Sequence, residues 1–110
     1  MKRGIESHMT KFYMKWQLNP LFTPANPEER VKLWLSMLEM TRADLKSGSI
    51  TDWGICSDSS EGYAFAETDE KTIHSSILKY MPYISFDIKP VIAVDHVIAN
   101  IKQAAAASKK

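Results

Sequence analysis

Residues 11–18 are the first segment of the chain with a regular pattern, because large apolar side chains alternate there with mostly polar ones. One set of alternating positions holds Phe12, Met14, Trp16 and Leu18, and the other holds Tyr13, Lys15 and Gln17. This period of two predicts a β-strand, because successive side chains of a strand point to opposite sides of the sheet. Residues 19–26 contain two prolines and predict a loop, in which Leu21 and Phe22 can serve a lid or a partner contact.

A long helix is predicted after this loop. Asn26 suits the N-cap, Pro27 suits the first helical position, and Gly48 supplies a C-terminal stop. Apolar residues recur at helical spacing between these ends, which predicts a face wide enough to cover a sheet. These residues are Val31, Leu33, Trp34, Leu35, Met37, Leu38, Met40 and Leu45.

Two strands, a helix, a strand and a final helix are predicted in the rest of the chain. Residues 50–57 and 62–68 read as neighbouring strands joined by the polar turn 58–61. Thr68 or Asp69 can cap the second helix, and Asp95 is expected to cap the last one. The apolar positions of the second helix are Ile73, Ile77, Leu78 and Met81, and those of the last helix are Val97, Ile98 and Ile101. In the strand between these helices, the alternating apolar residues are Ile84, Phe86 and Ile88.

This order of elements predicts the fold class. It is an α+β fold with a ferredoxin-like βαββαβ layout, an extra C-terminal helix and a four-stranded antiparallel sheet with its main helices on one face. Small residues in the third strand, Gly62, Ala64 and Ala66, would let helices approach that face. Tyr13, Tyr63 and Phe65 then fall on the open face, where an aromatic patch predicts an interface.

Length and composition favour one ordinary globular domain. The chain has 110 residues, of which 45% are hydrophobic and 25% charged, and its formal net charge is +1. This charge balance disfavours bulk nucleic-acid or membrane-surface binding. The single cysteine excludes an internal disulfide, and no apolar run reaches the ~20 residues that span a bilayer. We expect a cytoplasmic protein.

The ends of the chain have separate interpretations. Residues 1–9 are polar and close with His8 and Met9, a dipeptide that a common cloning site encodes, so we interpret them as an expression-vector remnant. Residues 10–106 form the predicted domain. Residues 107–110 are expected to be a frayed tail.

The layout resembles the dimeric α/β-barrel superfamily of ferredoxin-like proteins, and within it a short family without known function. The resemblance covers residues 12–102 and depends on the first strand at 12–14, the run 62–69 and the strand 86–92 before an alanine-rich end. It implies that two sheets pack face to face in a homodimer. Members of the superfamily include cofactor-free monooxygenases, muconolactone isomerases and haem-degrading enzymes. The last group uses a histidine on the second helix, where His74 lies, but the first strand here lacks the matching asparagine.

Few residues indicate chemistry. His74, near the apolar stripe of the second helix, is the candidate general base, since histidine titrates near neutral pH; a structural, partly exposed histidine is the alternative. Trp16, Trp53 and Tyr80 are the candidate lining of a pocket between sheet and helices, with ordinary core packing as the alternative. Cys56 is expected to be a buried thiol. Asp52 and Asp87 are interpreted either as pocket acids or as protection of edge strands.

We expect no metal site, because the ligand spacing of a zinc site is missing, and no cofactor. Residues 62–65 also resemble part of an RNA-recognition motif, but Glu61 stands where that motif has a basic residue, so nucleic-acid binding is not expected. The sequence thus predicts a homodimer that binds or transforms a small hydrophobic or aromatic molecule without a cofactor. The alternative is a non-catalytic regulatory or structural dimer.

Overall fold

A computed structural model describes residues 9–108 of the chain. Its strands are β1 (Thr10–Leu18), β2 (Asp52–Ile55), β3 (Glu61–Thr68) and β4 (Ile84–Val91). Its helices are α1 (Pro27–Ser47), α2 (Glu70–Leu78) and α3 (Val94–Ser108), and a 3-10 turn, Pro20–Phe22, follows β1. The prediction of an α+β chain with a four-stranded antiparallel sheet is confirmed.

The interpretation of the two chain ends stays a prediction. Residues 1–8, almost all of the proposed vector remnant, lie outside the described range. Residues 109–110 of the proposed frayed tail also lie outside it, and α3 continues through Ser108.

The strand order is β2-β3-β1-β4, and each neighbouring pair is antiparallel. β1 is therefore central, while β2 and β4 form the edges. Directly opposed residues of antiparallel strands point to the same side of a sheet. Trp16 lies opposite both Gly62 and Phe86, so these residues share one face. Tyr13 lies opposite Phe65 and Lys89, which share the other.

The hydrophobic core lies between the sheet and the helices α1 and α2. The central strands provide its floor, with the large side chains of β1 opposite the small ones of β3. Met37 of α1 and Ile73 of α2 pack against this floor. The buried hydrophobic residues are Phe12, Met14, Trp16, Met37, Ile50, Ala64, Ala66, Ile73 and Ile84.

Helix α1 begins and ends where its caps predict. The Asn26 side chain accepts hydrogen bonds from the backbone amides of Glu28, at 2.9 Å, and Glu29, at 3.2 Å. These bonds pair two of the amides that a helix leaves without intrahelical partners. Gly48 ends the helix with φ 88°, a left-handed conformation that glycine adopts without strain.

The face of α1 that covers the sheet differs from the predicted one. Met37, Thr41 and Asp44 are its buried residues, with Trp34 and Met40 half-buried beside them. Val31, Leu35, Leu38 and Leu45 are exposed instead. The predicted apolar face is therefore wider than the part of the helix that meets the sheet, because a helix rests on a sheet with only part of its circumference.

Three local expectations also need correction. Cys56 lies just past the end of β2 and is exposed, so it is not a buried thiol. Helix α2 ends at Leu78, before Met81. Asp95 lies inside the first turn of α3, which begins at Val94, two residues earlier than a cap at Asp95 requires.

Helix α3 projects away from the rest of the chain. All of its residues are exposed, and the described chain measures 65 × 33 × 20 Å along its principal axes. None of the helices within residues 9–108 is long and apolar enough to cross a bilayer.

Candidate functional site

A cavity of about 250 Å³ lies between the covered face of the sheet and the helices α1 and α2. We refer to it as the sheet–helix cavity. It exists because the backbone of α1 approaches the strands closely at few points, so side chains alone bridge the space. Its walls are mostly apolar and include Met14, Trp34, Met37, Ile77 and Phe86. A space with such walls favours an apolar ligand.

Two stacked tryptophans form one wall of the cavity. The rings of Trp16 and Trp53 are nearly parallel, at 11°, with centroids 5.5 Å apart. Trp16 comes from β1 and is buried, whereas Trp53 comes from the edge strand β2 and is half-buried. Gly62 makes this arrangement possible, since a Cβ atom at that position would collide with the Trp16 ring and the Gly54 carbonyl.

A polar cluster interrupts the apolar walls. The Asp44 carboxylate, from the buried face of α1, accepts a hydrogen bond from the Tyr80 hydroxyl at 2.8 Å and from the Lys79 ammonium at 2.6 Å. The Thr41 hydroxyl lies 3.3 Å from that of Tyr80 and 3.0 Å from the Met37 carbonyl oxygen. Thr41, Asp44 and Tyr80 all line the cavity. We refer to these three residues and Lys79 as the Asp44 cluster.

The Asp44 cluster is a source of hydrogen bonds rather than of a reactive base. Burial raises the pKa of Tyr80 to about 12, and the negative charge of Asp44 adds to this effect. The phenol therefore stays protonated at neutral pH and donates to Asp44. Lys79 balances the charge of Asp44, which leaves the cluster neutral as a whole. A carboxylate has about four lone-pair sites, so Asp44 can accept a further hydrogen bond from a ligand hydroxyl or N–H.

The residues predicted to line a pocket lie at this cavity. Trp16, Trp53 and Tyr80 are all in its walls, and the Tyr80 ring also packs edge-on against Phe86 at 6.1 Å. His74 lies on α2 but is exposed and outside the cavity lining. The structure therefore does not bring His74 together with the three pocket residues, and its role as a base stays a prediction.

Thr41, Asp44 and Lys79 were absent from the sequence-based set of candidates. A signal for two of them exists, because Thr41 and Asp44 follow Met37 at spacings of four and seven residues, which places all three on one side of a helix. Two polar residues among apolar ones at this spacing indicate a buried polar group. Lys79 gives no such signal, since its contact with Asp44 joins residues 35 positions apart.

The uncovered side of the sheet, which we name the open face, carries a second cluster. The ring of Phe65 lies 5.6 Å from that of Tyr13 and 6.0 Å from that of Tyr63, with the Lys11 ammonium 5.2 Å from its centroid. An ion pair between Lys15 and Glu61, at 3.7 Å, borders this cluster. The open face thus combines an aromatic centre with a charged margin.

Asp52 and Asp87 lie on the two edge strands and point to the open face. Asp52 accepts a hydrogen bond from the Tyr63 hydroxyl at 3.4 Å, and Asp87 pairs with Lys89 at 3.6 Å. Both residues are exposed and lie outside the cavity lining. Both positions agree with the interpretation of these residues as edge-strand charges, and Asp87 also borders a second, polar hollow that Lys15 and Ser85 line.

Within residues 9–108, the His, Cys, Asp and Glu side chains form no group of three or more that could hold a metal ion. Neither the models of known protein families nor the sequences of curated proteins match this chain. The functional argument therefore depends on the geometry of the sheet–helix cavity and of the open face.

Proposed function

We propose that this protein binds a small hydrophobic or aromatic molecule, without a cofactor, in the sheet–helix cavity. The observation that carries the proposal is the cavity itself, about 250 Å³ of space between the sheet and α1. A structural protein of this size would fill such a space with side chains, since interiors are close-packed. Pockets for drug-sized ligands measure roughly 300–1,000 Å³, so this smaller cavity suits a molecule of one or two rings.

The walls specify the chemistry of the ligand. The stacked pair Trp16 and Trp53 offers a flat surface, which favours a planar ring. The Asp44 cluster offers an acceptor at one side of the cavity, which favours a hydroxyl or N–H group on that ring. An anionic group is disfavoured beside the Asp44 carboxylate. We therefore expect an uncharged aromatic molecule with one hydrogen-bond donor.

Calorimetric titration with 2-naphthol, an uncharged two-ring alcohol, tests this binding. We expect wild-type protein to bind it, Trp53→Ala to weaken binding through loss of the stacking surface, and Asp44→Asn to weaken it through loss of the anionic acceptor. Ile77→Trp places a large ring in the cavity wall and is expected to block binding. Equal dissociation constants for wild type and all three variants would refute the cavity as the site.

His74→Ala provides the matched control, because His74 is exposed and lies outside the lining. We expect it to bind 2-naphthol as wild type does. Native mass spectrometry of the protein purified without denaturant identifies the physiological ligand. If that ligand is transformed by wild type and not by His74→Ala, the histidine acts as the predicted base.

We also propose that the chain is a homodimer of the dimeric α/β-barrel type, with the open faces of two ferredoxin-like sheets packed together. The strand order β2-β3-β1-β4 and the two helices on one face support this proposal. So does the aromatic centre at Tyr13, Tyr63 and Phe65, since apolar patches with polar margins are typical of interfaces. A purely structural or regulatory dimer would use the same face and leave the cavity without a ligand.

A further inference from the structure

Helix α3 carries an apolar stripe that no part of the described chain covers. Val94, Val97, Ile98 and Ile101 follow one another at spacings that place them on one side of a helix, and each is between 39% and 69% exposed. Fifteen residues are a marginal length for an isolated helix in water. The stripe therefore requires a covering surface.

Helix α1 carries a second exposed stripe, on the flank beside the face that covers the sheet, and its middle residue Leu38 also borders the sheet–helix cavity. Leu35, Leu38 and Leu45 are exposed there and share one side of the helix. Leu38 and Leu45 are seven residues apart, as are Val94 and Ile101 on α3. At 1.5 Å per residue, each pair spans about 10.5 Å, so the two stripes match in length.

The charges beside the two stripes are complementary in one antiparallel register. When Leu45 is placed opposite Val94, Leu38 comes opposite Ile101 and Leu35 comes opposite the alanines at 104–105, which are small enough for close approach. The same register places Lys46 beside Asp95, and Glu39 beside Lys102. Asp95 and Lys102 make no ion pair within residues 9–108, and antiparallel helices also align their dipoles favourably.

We propose that α3 of one copy docks antiparallel on the exposed leucine stripe of α1 in a second copy. Only Ile92 and Ala93 separate β4 from α3, and α3 leads away from its own chain. If each copy docks its α3 on α1 of the other copy, all four stripes are covered and one symmetry operation relates the two contacts, as in exchanged dimers generally. This contact leaves the open face free and meets the sheet–helix cavity only at Leu38.

Disulfide trapping between two different chains tests the exchange. Both chains carry Cys56→Ser, which removes the native thiol; one adds Leu38→Cys and the other, lengthened by an affinity tag, adds Ile101→Cys. We expect oxidation of the mixture to yield a heterodimer linked between these positions, because a disulfide requires Cα atoms about 4.4–6.8 Å apart. Replacing Ile101→Cys by Gln103→Cys, on the opposite side of α3, should abolish the heterodimer.

The same experiment separates exchange from docking within one chain. A single chain carrying both Leu38→Cys and Ile101→Cys forms an internal disulfide if α3 folds back on its own α1. An internal disulfide without a heterodimer in the mixture overturns the proposal, and so does equal trapping by Gln103→Cys. Since Ile101→Cys and Gln103→Cys change neighbouring exposed positions, loss of folding would affect both alike and would show in circular dichroism.

Discussion

Gly62 shows how one missing side chain positions a binding surface. Its Cα lies beneath the Trp16 ring, and an added Cβ would meet both that ring and the backbone carbonyl of Gly54. The Trp16 ring can therefore lie flat over β3 and stack on Trp53. Gly54 leaves similar room on the other side of the sheet, but there the nearest atoms belong to the Tyr63 ring.

We expect Gly62→Ala to lower the free energy of unfolding by about 1–3 kcal/mol, the usual cost of overpacking a core. This exceeds the about 0.4–1 kcal/mol that a Gly→Ala change gains through the unfolded chain. Gly54→Ala is the matched control and should cost less, because the Tyr63 ring on the open face can rotate away whereas a backbone carbonyl cannot. Urea unfolding measures both; an equal loss in the two variants would contradict the argument.

Tyr80 gives the stability of the protein a predictable dependence on alkaline pH. Its folded-state pKa is about 12, raised above the ordinary value of 10.0 mainly by burial. The folded state thus holds the phenolic proton more tightly than the unfolded state does. This contribution to stability is fully present below pH 10 and is lost as the pH rises from 10 towards 12.

We therefore expect the stability of wild type to fall more steeply over this pH range than that of Tyr80→Phe, which has no proton to lose. Tyr83→Phe serves as the control for the deprotonation of lysines, which affects every variant. The midpoint of urea unfolding, measured for each variant at several pH values between 10 and 12, tests this expectation. Parallel curves for wild type and Tyr80→Phe would show that folding does not raise the pKa of Tyr80.

From the sequence, a residue of the cavity could be predicted only where its type alone indicates a pocket wall, as a large aromatic side chain does. Trp16, Trp53 and Tyr80 are large and aromatic, and each lies at the cavity. Asp44 escaped prediction because a charged residue in a helix is exposed by default. Its partners Lys79 and Tyr80 come from a distant part of the chain, and no local pattern encodes that approach.

At the scale of elements, the caps of α1 were predictable because they depend on neighbouring residues alone. Asn26, Pro27 and Gly48 act at the positions that their chemistry predicts. The orientation of the helix was not predictable, because apolar residues occupy most of its circumference. Only the tertiary structure decides that Met37 faces the sheet while Leu35 faces away from it.

The N-cap of α1 provides the prediction at this scale. Asn26→Ala removes the acceptor for two backbone amides and should lower the free energy of unfolding by about 1 kcal/mol. Asn26→Asp keeps an acceptor oxygen at the same place and should retain wild-type stability. Thermal unfolding followed by circular dichroism compares the two. If Asn26→Asp lost as much stability as Asn26→Ala, the cap would not explain the effect.

For the whole molecule, the distribution of uncovered apolar surface is the main feature. The open face, the leucine stripe of α1 and the stripe of α3 are separate surfaces. Leu35 and Ile101 are exposed on the two helices, and Phe65 is half-buried on the open face. A monomer rarely leaves so many apolar surfaces in water. Sequence patterns predicted the open face, because strand alternation divides its residues cleanly, but they left the other two surfaces within helices assumed to be packed.

The dimer through the open face is tested in the Ile101→Asp background, where α3 offers no apolar stripe to a second copy. We expect this chain to sediment as a dimer, since Tyr13, Tyr63 and Phe65 remain intact. Adding Phe65→Asp places a charge at the centre of the proposed contact, where its desolvation is costly, and should produce a monomer. Adding Ser36→Asp instead, at an exposed position on α1, should leave the dimer unchanged. A monomeric Ile101→Asp chain would contradict the open-face dimer and leave the proposed ligand site in the cavity unaffected, because that site lies on the opposite side of the sheet.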